Sequence, residues 1–322
     1  MSERKVRVGV IGTGAIANVA HFPSLASMDD VEIRAVLSRE YTNAEVAARR
    51  FGATMAVRDL ESFFAQDLDC AVLLTPKTVR REYLQPLLEA GLDVLVEKPL
   101  ATTLSECASL AEASAKSGQI VMVAFNRRFS PVNKRGIEAF GSEKPEYVLV
   151  QKNREFREYR GTLENAIHMV DMLRNVLGEA VKVEAQARWD DPFFERLCTA
   201  QISFENGSVG LLGASRSAGQ WFERIEMYGG NKTVIMECPD RYRVIYPDHE
   251  EGQAMTPLNK GWANLIDTLG FRPCIRHFID SVKTRSKPLT SAEDAFKTHQ
   301  LMDRILKSAG LPDMSEDWSM KK

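Results

Sequence analysis

Val6-Arg7-Val8-Gly9-Val10-Ile11 runs directly into Gly12-Thr13-Gly14-Ala15-Ile16-Ala17. The first six residues are a short, apolar, β-rich run, and the next six spell G-x-G-x-x-A at the start of a helical pattern. Glycine-rich turns are common, but one that follows a strand and opens a helix has the context a dinucleotide needs. Gly12 permits the tight turn, Gly14 lets backbone approach a pyrophosphate, and Ala17 is small enough for the helix to lie close on the strand. The pyrophosphate then sits at the positive end of that helix, so Gly12, Thr13, Gly14, Ala15, Ile16 and Ala17 form the expected cofactor-binding run.

Further apolar runs at 31–37, 70–74, 93–96 and 120–124 alternate with helical patterns such as 43–51 and 105–117. That alternation predicts an α/β fold, a Rossmann doubly wound parallel sheet over residues 1–125. From residue 126 to 322 the pattern changes to strands at 147–152, 181–189, 199–204, 209–215, 223–228, 233–237 and 242–246. Glu205-Asn206-Gly207-Ser208 and Gly229-Gly230-Asn231-Lys232 place Gly and Asn where a hairpin needs positive φ, so this α+β domain should hold a largely antiparallel open sheet. Helices are expected at 163–177, 263–284 and 292–309, the last able to pack back on the first domain.

The chain has 322 residues, with 42 Lys+Arg against 44 Asp+Glu, a net charge of −2. No overall field favours nucleic acid or a membrane surface as partner. The five cysteines are odd in number and lack a C-x-x-C pair, which argues against disulfides and structural zinc, so no metal is expected. No apolar run approaches the length of a membrane span, and the first strand begins near Met1, so a cytoplasmic location is expected.

After the second strand, Leu37-Ser38-Arg39-Glu40 stands where Asp or Glu would bind the ribose of NAD. Ser38 and Arg39 suit a 2′-phosphate, because Arg offers charge-assisted bonds to phosphate oxygens, while Glu40 argues the other way. The balance favours NADP over NAD.

Gly12-x-Gly14-x-x-Ala17, Thr75-Pro76, Glu97-Lys98-Pro99 and Ile167-His168-x-x-Asp171, in this order, resemble the glucose-fructose oxidoreductase / inositol dehydrogenase / rhizopine-catabolism (Gfo/Idh/MocA) family, and within it the MviM-like branch. The resemblance implies hydride transfer between a nicotinamide and a carbon of a sugar, cyclitol or related polyol. Lys98 and His168 would be catalytic, with Thr75, Pro76, Glu97 and Lys98 lining the cofactor. The residues make chemical sense alone: ligands collect outside the carboxyl ends of strands, and a Lys or a His can take the hydroxyl proton as hydride leaves.

Asn126, Arg127, Glu164 and Asp171 are the expected substrate contacts. The family often has Asp where Glu164 stands; a separation of four keeps Glu164 on one helical face with His168. Asp171 is equally open to a structural salt bridge. Two departures stand out: Thr75-Pro76-Lys77-Thr78-Val79-Arg80 where relatives carry Thr-Pro-Asn-x-x-His, and the charged stretch 153–161 where they carry glycines. That stretch is expected in the substrate pocket or a subunit contact. Two other functions remain open, a silent nicotinamide-binding regulator and a redox-assisted glycosidase. A homodimer or homotetramer is expected, covering the sheet face of Val209, Leu211 and Glu223 to Tyr228.

Overall fold

The apolar run at the start of the chain becomes the central strand of a six-stranded sheet in the computed structural model, which describes residues 4–155, 160–255 and 264–315. The chain forms two units, one containing residues up to Ala124 together with Phe271–Phe296, the other Phe125–Gly270 and the chain from Lys297.

In the first unit the strands are β1 (Val6–Ile11), β2 (Val31–Leu37), β3 (Met55–Val57), β4 (Cys70–Leu73), β5 (Asp93–Val96) and β6 (Val121–Val123). All pair in parallel in the order β3-β2-β1-β4-β5-β6. Sequence order therefore reverses beside β1, which opens a crevice at the carboxyl ends of β1 and β4. Helices α1 (Phe22–Ala26), α2 (Tyr41–Phe51), α3 (Leu60–Phe64), α4 (Arg80–Glu89) and α5 (Leu104–Ser117) supply the crossovers. Val8, Val10, Val72 and Leu95 are fully buried, as strands covered on both faces must be. The sequence pattern passes over β3, because an edge strand of three residues with Met55 exposed leaves no apolar run.

The second unit begins with α6 (Pro131–Phe140), β7 (Tyr147–Asn153) and α7 (Ile167–Leu177). Next come β8 (Ala180–Arg188), β9 (Leu197–Phe204), β10 (Val209–Ser215), β11 (Phe222–Gly229), β12 (Lys232–Cys238), β13 (Arg241–Ile245) and β14 (Glu250–Ala254). The sheet order is β14-β13-β12-β11-β7-β10-β9-β8, antiparallel except where β7 lies parallel to β10. Both anticipated hairpins form, with Gly207, Gly230 and Asn231 at positive φ. β14 carries no sequence signal, since Glu250–Ala254 is exposed throughout. On β11 the alternation puts Glu223, Ile225 and Met227 on the buried face, so Glu223 does not belong to the outer surface expected of it.

The helix anticipated over 263–284 is two helices, α8 (Leu265–Thr268) and α9 (Phe271–Thr284); the start of that stretch lies outside the described residues. Gly270 separates them at φ +85°, where a Cβ would collide with the Asn126 carbonyl oxygen. α9 and the start of α10 (Ala292–Ser308) belong to the first unit, where Arg276 pairs with Asp30 at 2.7 Å and Thr290 Oγ1 donates to Val123 O at 2.6 Å. All five cysteines are buried, and none is joined in a disulfide among the described residues. Among the described residues no helix is long and apolar enough to cross a membrane, and no cluster of His, Cys, Asp and Glu could hold a metal.

Candidate functional site

β1 ends in a turn whose two glycines serve different ends. Gly12 has φ +105°, and a Cβ there would lie 2.8 Å from the Leu74 carbonyl, so the neighbouring strand end forbids any side chain. Gly14 has nothing within 4 Å of a Cβ position. Protein packing does not demand its missing side chain, whereas a pyrophosphate lying against the backbone would. Ala17 is fully buried where the helix meets the sheet. The helix runs on from Ala15 and Ile16 through a π turn, Ala17–His21. Asn18 Nδ2 donates to Thr13 O at 2.8 Å and to Gly14 O at 3.1 Å, pinning the turn from inside.

Thr13 Oγ1 and Ser38 Oγ are 2.8 Å apart, which joins the glycine turn to the end of β2. Arg39, next in the chain, is 93% exposed, with Nε 3.7 Å from Glu40 Oε1. Its guanidinium is free of packing and balanced by one carboxylate.

At the end of β5, Glu97 is buried and takes a 2.7 Å contact from His21 Nε2, while the Lys98 backbone N–H donates to its other oxygen at 3.1 Å. Burial alone would raise the Glu97 carboxyl; the His21 bond and the charges of His21, Lys98 and Arg80 outweigh it and hold it below the usual range. The Lys98–Pro99 bond is cis. Arg80, buried at the start of α4, donates to Pro99 O and, at 3.1 Å, to Thr75 O, tying the ends of β4 and β5 together. Burial lowers its pKa to about 10. Thr75 Oγ1 is buried with no hydrogen-bond partner among the described residues, and Pro76 follows it into a 3-10 turn, Lys77–Val79. An open glycine backbone and an orphaned hydroxyl at adjacent strand ends fit a bound dinucleotide.

His21 and Asn18 were not anticipated as site residues. Their partners, Glu97 and the glycine turn's own carbonyls, become visible only once β5 lies beside β4 and the helix turn closes.

In the second unit, His168 is 6% exposed near the start of α7, its ring edge-on to Phe125 with centroids 6.2 Å apart. The helix expected to begin at residue 163 opens with a π turn, Thr162–Ala166, and is regular only from Ile167. Glu164 therefore sits in that π turn, where the angular step per residue is smaller than in an α-helix. The four-residue face relation between Glu164 and His168 does not hold as simply as spacing implies.

Asp171 accepts from Arg128 Nε at 2.7 Å and Nη2 at 2.6 Å, and from Thr298 Oγ1 at 3.0 Å. Of the two roles open to it, the structural ion pair is formed. Asn126 Nδ2 donates to Leu269 O at 3.0 Å, and Arg127 grips Glu223 through Nε at 2.5 Å and Nη2 at 2.7 Å. Both expected substrate contacts thus brace the second unit. Lys152 also bonds Glu223, and burial pushes its ammonium down to about 7 despite that carboxylate. Burial would raise Glu223, but Arg127 and Lys152 carry it well below the ordinary carboxylate range. Of the two residues expected to be catalytic, Lys98 belongs to the first unit and His168 to the second.

Comparison with known proteins bears on both units. The sequence profile of an oxidoreductase family, NAD-binding Rossmann fold, matches residues 6–125, and that of the family's C-terminal alpha/beta domain matches residues 160–310. Myo-inositol 2-dehydrogenase of Thermotoga maritima is 24% identical over 309 residues, covering 90% of this chain and 92% of that protein. D-glucoside 3-dehydrogenase of Escherichia coli is 23% identical over 342 residues, covering 96% and 97%. The crystal structure of the dehydrogenase MviM from Clostridium difficile superposes with a TM-score of 0.86 at 23% identity, covering 95% of this chain and all of that one, and shares the fold.

Proposed function

The chain belongs to the Gfo/Idh/MocA oxidoreductase family, with an NAD-binding Rossmann domain, and on that footing we propose that it moves a hydride between a nicotinamide and the carbinol carbon of a sugar, cyclitol or related polyol. The observation that carries this reading is the crevice floor, where the open Gly14 backbone and the orphaned Thr75 hydroxyl accompany the strand end bearing Lys98.

A nicotinamide bound there would supply the hydride acceptor for oxidation and the hydride donor for reduction. The chain handles the proton and the oxygen. Lys98 donates a hydrogen bond to the substrate oxygen and steadies the charge that grows there. His168 takes the hydroxyl proton on a ring nitrogen as the alcohol becomes a carbonyl, and returns it in reduction. Glu97 and His21 are positioning residues, since they fix the backbone from which Lys98 projects.

The proposed cofactor is NADP in preference to NAD, bound at Ser38 and Arg39. The exposed Arg39 supports it, and the nearby Glu40 is the counterweight. Self-association is proposed through the outer sheet face, where Val209 and Leu211 are half-buried and Tyr147 and Tyr228 stack at 4.3 Å. The reading is tested with sugars and cyclitols incubated with both oxidised and both reduced cofactors and followed by nicotinamide absorbance. Steady, substrate-dependent change is expected; its absence in a preparation that fails to bind any cofactor would overturn the proposal.

A further inference from the structure

Two parallel strands of the first unit finish side by side. β2 and β3 pair with Leu37 opposite Val57, so the residues that follow, Ser38 and Arg58, leave the sheet abreast. Adjacent strands lie about 4.8 Å apart, which brings two stretches remote in sequence to one place. Ser38 is joined to the glycine turn through Thr13, and three residues after it Tyr41 opens α2.

Arg58 is exposed, yet it does not simply extend into water. Its guanidinium carbon stands 3.6 Å from the centre of the half-buried Tyr41 ring. That is the contact distance of two flat groups lying face to face. The neighbouring carboxylate of Asp59 is engaged elsewhere, accepting the Ser62 N–H at 2.8 Å to cap α3. Glu40 lies 3.7 Å from Arg39. The Arg58 side chain makes no hydrogen bond or ion pair among the described residues.

A guanidinium stacked on a ring uses its flat face, while its N–H groups point outward in its own plane. Stacking therefore fixes the fork and leaves its donors available. An oxyanion can be gripped at two points without the full cost of ordering a free arginine. Arg39, 93% exposed, still has that ordering to undergo on binding. The ribose of a dinucleotide lies at the end of the second strand, where Ser38 and Arg58 stand together.

We infer that Arg58 is a pre-positioned ligand for a 2′-phosphate on the cofactor's adenosine ribose, and that Tyr41 is the residue positioning it. Arg58 takes phosphate oxygens through its fork, and Ser38 and Arg39 complete the site from the end of β2. The inference rests on the NADP reading and deepens it. The phosphate site is divided between two strands, so Arg39 alone does not decide the preference.

The test is calorimetric titration of adenosine 2′,5′-bisphosphate against adenosine 5′-phosphate, and of NADP against NAD, into the full chain. Each pair differs by the 2′-phosphate, and the wild type should favour the member that carries it. In Arg58→Gln that preference should fall about tenfold or more, the worth of a hydrogen bond to a charged group. Adenosine 5′-phosphate and NAD should bind as before, which also shows that the fold is kept. Arg58→Lys retains charge without the fork and should keep only part of the preference. Tyr41→Leu removes the ring beneath an intact Arg58 and should lower the preference about two- to fivefold, whereas Tyr41→Phe should preserve it. An undiminished preference in Arg58→Gln overturns the inference, as does an equal loss for both members of each pair. An undiminished preference in Tyr41→Leu overturns the positioning role. If Arg39→Asp abolishes the preference and Arg58→Gln retains it, the inference fails and the NADP reading stands. A wild type that does not favour the 2′-phosphorylated ligands overturns both.

Discussion

His21 and Glu97, 76 residues apart, meet in the first unit with Nε2 2.7 Å from Oε1, and the same carboxylate holds the backbone of Lys98. Because the Glu97 pKa is lowered on folding, its contribution to stability is present above the ordinary carboxylate pKa and is lost as pH falls through the lowered value. Glu97→Gln keeps an acceptor but removes the charge, so it should cost about 1–3 kcal/mol near neutrality. It should also flatten the acid limb of stability against pH. Urea midpoints measured across the acid range check this, and an acid limb identical to wild type would remove Glu97 from the account.

The two glycines of the turn should behave oppositely when replaced by alanine. Gly12→Ala meets the Leu74 carbonyl and a positive φ, and should destabilise the protein by roughly 1–3 kcal/mol. Gly14→Ala meets nothing, so it should leave stability within about 1 kcal/mol of wild type, or raise it. Yet Gly14→Ala should bind either cofactor more weakly. Thermal unfolding with cofactor titration on the same samples separates the two effects.

Arg39→Asp replaces an exposed cation by an anion, so folding should be unaffected while NADP affinity falls far more than NAD affinity. Calorimetry with both cofactors decides the matter. Equal losses would assign Arg39 to the solvated surface.

Lys98→Met keeps length but removes charge and donors, and should depress turnover while leaving cofactor affinity close to wild type. His168→Ala should lower turnover by about 10² to 10⁴, the range general acid/base catalysis supplies. Near wild-type rates in either variant, measured once a substrate is in hand, would refute the assigned pair.

Asp171→Asn should leave Arg128 buried without its counter-ion and cost about 3–5 kcal/mol, far more than a catalytic residue on an accessible surface would. Denaturant unfolding of this variant, beside His168→Ala, distinguishes a brace from a proton carrier.

Much of this was legible in the residues because it is local. A strand, a G-x-G-x-x-A turn and a helix lie within twelve positions, and Gly207 and Asn231 announce their hairpins through the φ they must adopt. What could not be read depends on distant partners. Nothing near Arg127 in sequence signals Glu223, and nothing near His21 signals Glu97. The π turn at Thr162–Ala166 is invisible to a pattern that counts 3.6 residues per turn, and the close approach of the Asn126 carbonyl that leaves no room for a side chain at Gly270, between α8 and α9, comes from a residue far away in sequence.

The return of Phe271–Phe296 to the first unit makes that unit discontinuous along the chain. Asp30 and Asp93 wait for Arg276 and Arg285, and Val123 O for Thr290. During synthesis at about 5–20 residues per second, the intervening residues 125–270 delay those partners by on the order of ten seconds. The glycine turn and all six strands of its sheet thus leave the ribosome well before α9 arrives to cover them, so the nascent first unit spends that interval with Asp30, Asp93 and the Val123 carbonyl lacking the partners they have in the finished fold.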